Sequence, residues 1–442
     1  MKASDSGNPK ARPPASGREV LESPLSTGAL RQAVRERAVL VGVGKGIEEE
    51  DLDELAALAD SAGADPVARL VQNRTEPDPR TYVGKGKLGE LHDTIHAVRA
   101  DAVILDKELS PGQLRSLEER LGVKVIDRTA LILDIFALHA RSREGRVQVE
   151  LAQLNYLLPR LRGWGEAMSR LGAGIGTRGP GETKIEVDRQ HIRRRMTKLR
   201  RDIKDMTRTR DVKGARRRSG NVPQIAIAGY TNAGKSTLLN RLTGARAVVA
   251  DQLFATLDPT VRRLELPGGR SATLSDTVGF VSKLPHDLVE AFRSTLEEVA
   301  MADVIMLVAD ASSAAIEAQI DAVQRVLVEI GAAGIPQVLV LNKVDQVAGS
   351  DRARLARRFP GSVAVSALTS EGAEELLVAV AEAIPHPPLE VTLLVPWGRE
   401  DVTARLYREA EVLGTETDGD GTIVRALVDA QGLAAVREFV RS

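Results

Sequence analysis

The 442-residue chain has no cysteine. That excludes disulfide scaffolds, thiolate zinc centres and cysteine nucleophiles, and it suits a reducing compartment. Phe, Trp and Tyr together make up only 3% of residues, too few for a platform that stacks single-stranded bases. There is no excess of either charge. The 61 Lys and Arg balance 61 Asp and Glu, which excludes a uniformly basic coat but not a local basic patch. No apolar run approaches the ~18 residues that a membrane-spanning helix needs. The first 35 residues mix Pro, Gly, Ser and both charges and lack the apolar centre of a secretory signal. These absences lead us to expect a cytoplasmic, monomeric chain of about three domains with no stable membrane insertion.

Residues 1–37 have little to bury and read as a disordered extension. Over 38–128 short apolar runs alternate with helical patterns. Val39–Val43, Arg69–Gln72, Ala102–Leu105 and Val123–Ile126 read as strands. Leu52–Ala62, Leu88–Val98 and Pro111–Leu121 read as helices. This alternation predicts a parallel α/β domain. Over 129–220 the period changes. Val147, Leu151, Leu154, Leu158 and Leu161 are spaced by four and three, as are Ile192, Met196, Leu199, Ile203 and Met206. Two such stripes predict an antiparallel helical hairpin with a coiled-coil seam. The connection Gly163–Thr183 carries seven glycines, an unusual length and composition that points to a functional loop. A second α/β alternation fills 221–386. A small α+β domain over 387–442 follows, with helical Val402–Val412 and Leu433–Val440 between strand-like segments.

The chemistry concentrates in the second alternation. Gly229, Tyr230, Thr231, Asn232, Ala233, Gly234, Lys235 and Ser236 match G-x-x-x-x-G-K-[ST], between a predicted strand Gln224–Ala228 and a predicted helix Ser236–Leu242. Backbone N–H groups and a helix N-terminus can cradle phosphates there, with Thr237 in the first turn. Lys235 adds a point charge, and the Ser236 hydroxyl suits Mg²⁺ beside the β- and γ-phosphates. Asp276, Thr277, Val278 and Gly279 end a predicted strand, where a carboxylate behind the metal and a γ-phosphate-sensing N–H belong. Asn342, Lys343, Val344 and Asp345 follow the buried run Val338–Leu341. A carboxylate here can accept both the ring N–H and the exocyclic amine of guanine. Ser366, Ala367 and Leu368 offer backbone N–H groups toward the guanine carbonyl. Phe254, Ala255, Thr256, Leu257 and Asp258, with Pro259 and Thr260, form a loop that can bring a threonine hydroxyl to Mg²⁺. Thr256 is the first choice and Thr260 the second. The expected catalytic set is Lys235, Thr256 and Gly279, with Ser236 and Thr256 on the metal. Asn232 adds an expectation of K⁺ near the phosphates. Where Ras-like enzymes place a water-orienting glutamine, this chain has Phe280, so intrinsic hydrolysis should be slow.

These motifs, the FATLDPT loop and the DTVGF turn resemble the Obg–HflX group of translation-factor-related GTPases. Upstream, Tyr82–Lys87 (YVGKGK), Asp127-Arg128-Thr129 and Gly174–Val187 (GIGTRGPGETKIEV) are similar to HflX signatures. The resemblance covers about 38–442. It implies a Mg²⁺-dependent GTP hydrolase that binds the large ribosomal subunit and its rRNA and splits stalled or inactive ribosomes in stress or antibiotic tolerance. It also implies that the glycine-rich loop reaches toward the peptidyl-transferase region, and that the N-terminal domain is a candidate ATP site at Tyr82–Lys87. The residues themselves are compatible with RNA. Arg189–Arg218 holds 14 Lys or Arg against three Asp, a density suited to phosphate backbones. Two other readings stay open: an RNA-binding module with GTP as a fold ligand, and an ATP-driven RNA-remodelling enzyme.

Overall fold

A computed structural model describes residues 35–161, 180–218, 222–244, 253–254, 260–267, 270–276, 279–281, 293–385, 389–428 and 430–441. Three sheets organise them. The first contains β1 (Glu36–Gly44), β2 (Ala64–Asn73), β3 (Ala102–Leu105) and β4 (Lys124–Asp127). They are parallel throughout, in the order β2-β1-β3-β4. Parallel neighbours need crossovers, supplied by helices Asp53–Ser61, Lys85–Val98 and Pro111–Leu121. The last of these shows how local the instructions are. Ser110 accepts the Gln113 N–H while the Gln113 side chain caps Ser110 in return, proline opens the helix, and Gly122 closes it in the left-handed region.

The second sheet has the order β10-β9-β8-β5-β7-β6. Its strands are β5 (Gln224–Gly229), β6 (Thr260–Glu265), β7 (Ser271–Asp276), β8 (Val304–Asp310), β9 (Gln337–Asn342) and β10 (Val363–Ala364). All pairs are parallel except the β6–β7 edge. The third sheet is antiparallel: β11 (Leu389–Pro396), β13 (Gly421–Val428) and β12 (Glu411–Asp418), in that spatial order. The structure therefore has the expected mixed α/β class, with two parallel-type sheets, a helical hairpin and a small C-terminal α+β unit.

The structure departs from the sequence expectations in several segments. Glu36 and Arg37, expected in the disordered extension, open β1. Arg128–His139 is a helix in which every residue from Arg128 to Phe136 is buried. With no polar face, it carries no amphipathic stripe to read. Thr260–Glu265 forms the antiparallel edge strand β6. The predicted helix over Val402–Val412 instead spans Glu400–Glu409, and the chain turns into β12 from Glu411, its Val412 pairing with Ala426. At the C-terminus, helix Ala430–Val436 and a 3-10 turn Arg437–Phe439 stand where one helix over Leu433–Val440 was expected.

The hairpin pairs helix Arg143–Arg160 with the 39-residue helix Pro180–Arg218. Leu151, Met196 and Leu199 are buried in the seam, with Val147, Leu154, Leu158, Ile192 and Ile203 packed around them. Pro180–Thr183, read as the end of the glycine-rich connection, is already helical. Residues 163–179 of that connection lie outside the described residues, as do residue 162 and residues 1–34 of the extension. One apolar core is shared by the first two sheets. It runs from Leu52, Leu55 and Phe136 to Ala226, Ala228, Tyr230, Phe254, Phe280 and Leu296, so helices Asp53–Ser61 and Arg128–His139 pack directly on the second sheet's domain.

Candidate nucleotide-binding site

The site is built where β5 ends. Ile225–Ala228 are fully buried between neighbouring strands, and Gly229 follows because nothing larger fits. A Cβ at that position would lie 2.3 Å from the Val308 carbonyl oxygen of β8. The chain then turns tightly, with Asn232 at φ 59° and Gly234 at φ +89°. A Cβ on Gly234 would sit 2.3 Å from Asn342 Nδ2, so two close approaches and a left-handed backbone all require glycine. Helix Lys235–Thr243 begins directly after it, which aims free N–H groups into the turn.

Lys235 is enclosed by the loop it serves. Its Nζ donates to the Tyr230 carbonyl at 2.8 Å. Burial pulls its pKa down to about 8, a shift partly opposed by the nearby Asp276 carboxylate. The Ser236 hydroxyl donates to Asp276 Oδ2 at 2.6 Å, at the C-terminal end of β7. Gly279 completes this end. A Cβ there would meet the Thr231 methyl at 2.8 Å and Lys235 Nζ at 3.1 Å. Phe280 N–H donates to Gly229 O at 3.1 Å, and Thr231 N–H to Phe280 O at 2.7 Å, so the residue after the D-x-x-G turn is pinned to the phosphate loop. Phe280 itself is buried and apolar, with no group to orient water.

The base-reading motif forms a second cluster joined to the first. Asn342, at the end of β9, donates from Nδ2 to Ala233 O at 2.8 Å and accepts the Ala367 N–H on Oδ1 at 3.0 Å. It thereby ties the phosphate loop to the Ser366–Leu368 segment. Lys343 turns at φ 64° and pairs with Asp310 at 2.7 Å. Ser366 Oγ donates to Asp345 Oδ1 at 2.6 Å, while Leu368 is exposed.

The structure thus brings Gly229–Thr237, Asp276, Gly279, Asn342–Asp345 and Ser366–Leu368 to one edge, outside the carboxyl ends of parallel strands. Thr260 opens β6 opposite Asp276. Ala255, Thr256, Leu257, Asp258, Thr277 and Val278 lie outside the described residues. Phe254 is buried with its ring edge-on to Phe136 of the N-terminal unit, centroids 4.6 Å apart. Its neighbour Leu253 donates its N–H to Ser61 Oγ at 3.0 Å. Sequence reasoning missed these N-terminal contacts. It also missed Tyr230 Oη donating to Glu54, because no local pattern links residues 176 positions apart. Among the described residues no group of three or more His, Cys, Asp or Glu gathers as a metal site, and a hydroxyl held on one carboxylate is the oxygen-only donor set that Mg²⁺ completes with water and phosphates. In the Tyr82–Lys87 segment Tyr82 and Val83 are buried while Lys85 and Gly86 are exposed; Gly84 N–H donates to Gln72 Oε1 at 2.9 Å, and Lys87 pairs with Glu90 at 2.8 Å.

Fold and edge together define a P-loop GTPase. Three family models match the chain: "GTP-binding GTPase N-terminal" at 49–137, "GTP-binding GTPase Middle Region" at 139–217 and "50S ribosome-binding GTPase" at 224–343. A GTPase HflX from Caldanaerobacter subterraneus subsp. tengcongensis is 46% identical over 413 residues, covering 92% of this chain and 94% of that one. GTPase HflX of Escherichia coli is 41% identical over 393 residues, covering 88% and 92%. A GTP-binding protein from Sulfolobus solfataricus, solved in complex with GDP, is 26% identical with a TM-score of 0.41, over 79% of this chain and 98% of that one. The chain belongs to the HflX family of GTPases; it binds and hydrolyses GTP. No helix among the described residues is long and apolar enough to cross a membrane.

Proposed function

We propose that this GTPase acts on the large ribosomal subunit and splits stalled or inactive ribosomes, with its nucleotide state controlling attachment. One observation carries the reading: the helix Pro180–Arg218 buries a seam on one side and presents a basic stripe on the other. Arg194, Lys198, Arg201, Lys204 and Arg208 recur every three or four residues and are exposed. Arg195 is instead committed to Glu150 at 2.6 Å. Such a stripe suits phosphate backbones, and a chain of this length and neutral overall charge concentrates it in one place. The matched model's name, a 50S ribosome-binding GTPase, supports the same partner.

Within the site, Lys235 would meet the β- and γ-phosphates, and Gly279 N–H would sense the γ-phosphate. Ser236 and Thr256, with Thr260 the alternative, would hold Mg²⁺, which supplies charge neutralisation when bound. Asn342 and Asp345 would select guanine, and Ser366–Leu368 would meet its carbonyl. Asn232 would help hold K⁺ beside the phosphates. Since Phe280 cannot orient water, turnover should be slow alone and rise on a partner surface.

Sedimentation with large subunits and a non-hydrolysable GTP analogue tests the proposal. Binding should depend on the triphosphate, and subunits should accelerate hydrolysis. Neutralising Arg193, Arg194, Arg195, Arg200 and Arg201 together should weaken binding and flatten its salt dependence. Deleting Gly172–Gly181 should abolish splitting while leaving GTP binding intact. Failure to co-sediment in either nucleotide state would sink the proposal, and splitting at the full rate without the loop would remove the loop from it.

A further inference from the structure

A chain of polar side chains, buried except for the partly exposed Glu54, crosses from the N-terminal sheet to the phosphate loop. It starts at Asp106, which follows β3 and pairs with Arg128 Nη1 at 2.7 Å. Arg128 opens helix Arg128–His139 and is 3% exposed at its side chain. Its other terminal nitrogen meets Glu54 Oε1, from helix Asp53–Ser61. The second oxygen of Glu54 accepts the Tyr230 hydroxyl. Tyr230 is the second residue of the phosphate loop, and its backbone carbonyl is the one that holds Lys235 Nζ. One residue therefore carries the N-terminal unit's grip on its side chain and the phosphate-binding lysine on its backbone.

We propose that Glu54 is a positioning residue for GTP hydrolysis. Fixed by Arg128, its carboxylate aims the Tyr230 side chain and so sets the orientation of the phosphate loop and Lys235. The surroundings favour a device over a chance contact. A carboxylate between a buried guanidinium and a buried phenol has both oxygens directed by the protein, and such charge-assisted bonds are geometrically demanding. The apolar core around the chain contains Phe254 and Phe280, which flank the loop bearing Thr256 and the turn bearing Gly279. A rotation of the N-terminal unit would thus be felt first at Tyr230 and at the roots of both nucleotide-responsive segments. The Asp127-Arg128-Thr129 motif, which no step at the nucleotide edge uses, acquires a role: Arg128 locks Glu54 in place.

Full-length Tyr230→Phe, Glu54→Gln and the double variant test this by steady-state GTP hydrolysis alongside thermal unfolding. Each single variant should lower kcat about tenfold with KM changed less than about twofold, the effect of losing one charge-assisted bond that acts mainly on alignment. The double variant should be no slower than the slower single, because both remove the same bond. Tyr230→Phe should unfold within a few degrees of the wild type. A merely structural role would show itself as a lowered unfolding midpoint with kcat intact. Wild-type kcat in Tyr230→Phe, or losses that multiply in the double variant, would overturn the proposal. If Glu54→Gln does not fold, Tyr230→Phe decides alone, since it leaves the Glu54–Arg128 pair untouched.

Discussion

The two parallel sheets end in crevices of the same topological kind, yet they use them in opposite ways. At the carboxyl edge of the N-terminal sheet the polar groups satisfy one another. Asp106 pairs with Arg128. The fully buried Asp127 accepts the N–H groups of Leu109 and Ala130 at 3.0 and 2.9 Å and meets Arg160 at 3.3 Å. Arg160 in turn lies 3.4 Å above the Tyr156 ring. At the edge of the second sheet, glycine removes the side chains that would close the crevice, and a helix N-terminus and one buried lysine are aimed into it. Strand order supplies a place for a ligand at both edges; at the second, the glycines at 229, 234 and 279 keep that place free of side chains.

Removing the central cation on each side sharpens this contrast. Lys235→Ala should reduce GTP turnover about 10³-fold, the scale of losing a preorganised charge at a transition state, and leave the unfolding of the N-terminal unit unchanged; residual hydrolysis above a tenth of wild type would break the assignment. Arg160→Ala should have the reverse profile. It leaves Asp127 buried with its counter-charge gone, at a cost of about 3 kcal/mol, visible in calorimetry as a lower midpoint. An unaltered midpoint would mean that the two backbone N–H groups and the Tyr156 hydroxyl balance Asp127 without Arg160.

Two titrations probe the same difference more gently. On the N-terminal side, burial raises the Asp134 pKa to about 7, with Lys124 opposing and Glu36 adding to the rise. The folded state holds this proton more tightly than the unfolded chain does, so stability is lost as pH rises from about 4 toward 7. Asp134→Asn should therefore stabilise by about 4 kcal/mol at pH 8 and by almost nothing near pH 4; a pH-independent difference would place the cause elsewhere. On the nucleotide side the sign is opposite. Lys235 is depressed to about 8, and a bound phosphate favours its charged form. GTP binding should take up a proton above that pH, with affinity falling by up to about tenfold per pH unit. Isothermal titration in buffers of different ionisation enthalpy would reveal the proton, and flat affinity between pH 8 and 9 would contradict it.

Most of the nucleotide edge is legible in the sequence because each motif is contiguous and sits at a strand end: Gly229–Ser236, Asp276–Gly279 and Asn342–Asp345 need only local reading. The hairpin is legible for a similar reason, since Val147–Leu158 and Ile192–Ile203 repeat their spacing. What escapes is whatever lacks a two-faced pattern. Helix Arg128–His139 is buried all round, so its periodicity vanishes. Strand β12 presents Leu413, Thr415, Glu416 and Thr417 to solvent, and its first residues prolong the helical pattern of the preceding segment. The contacts of Glu54 with the phosphate loop, Ser61 with Leu253 and Phe136 with Phe254 depend on how two units dock, information that no window of sequence contains.

The 39-residue helix Pro180–Arg218 has a mechanical consequence. At 1.5 Å per residue it is roughly 58 Å long, whereas its 18-residue partner spans roughly 27 Å. The pair is therefore a beam braced along half its length. A tilt of about 5° at the end near the nucleotide domain would carry the far end about 5 Å, close to the pitch of one helical turn. Small changes around a phosphate group could in this way become displacements comparable to the diameter of a side chain, delivered where the glycine-rich connection ends, without any change in the seam that holds the two helices together.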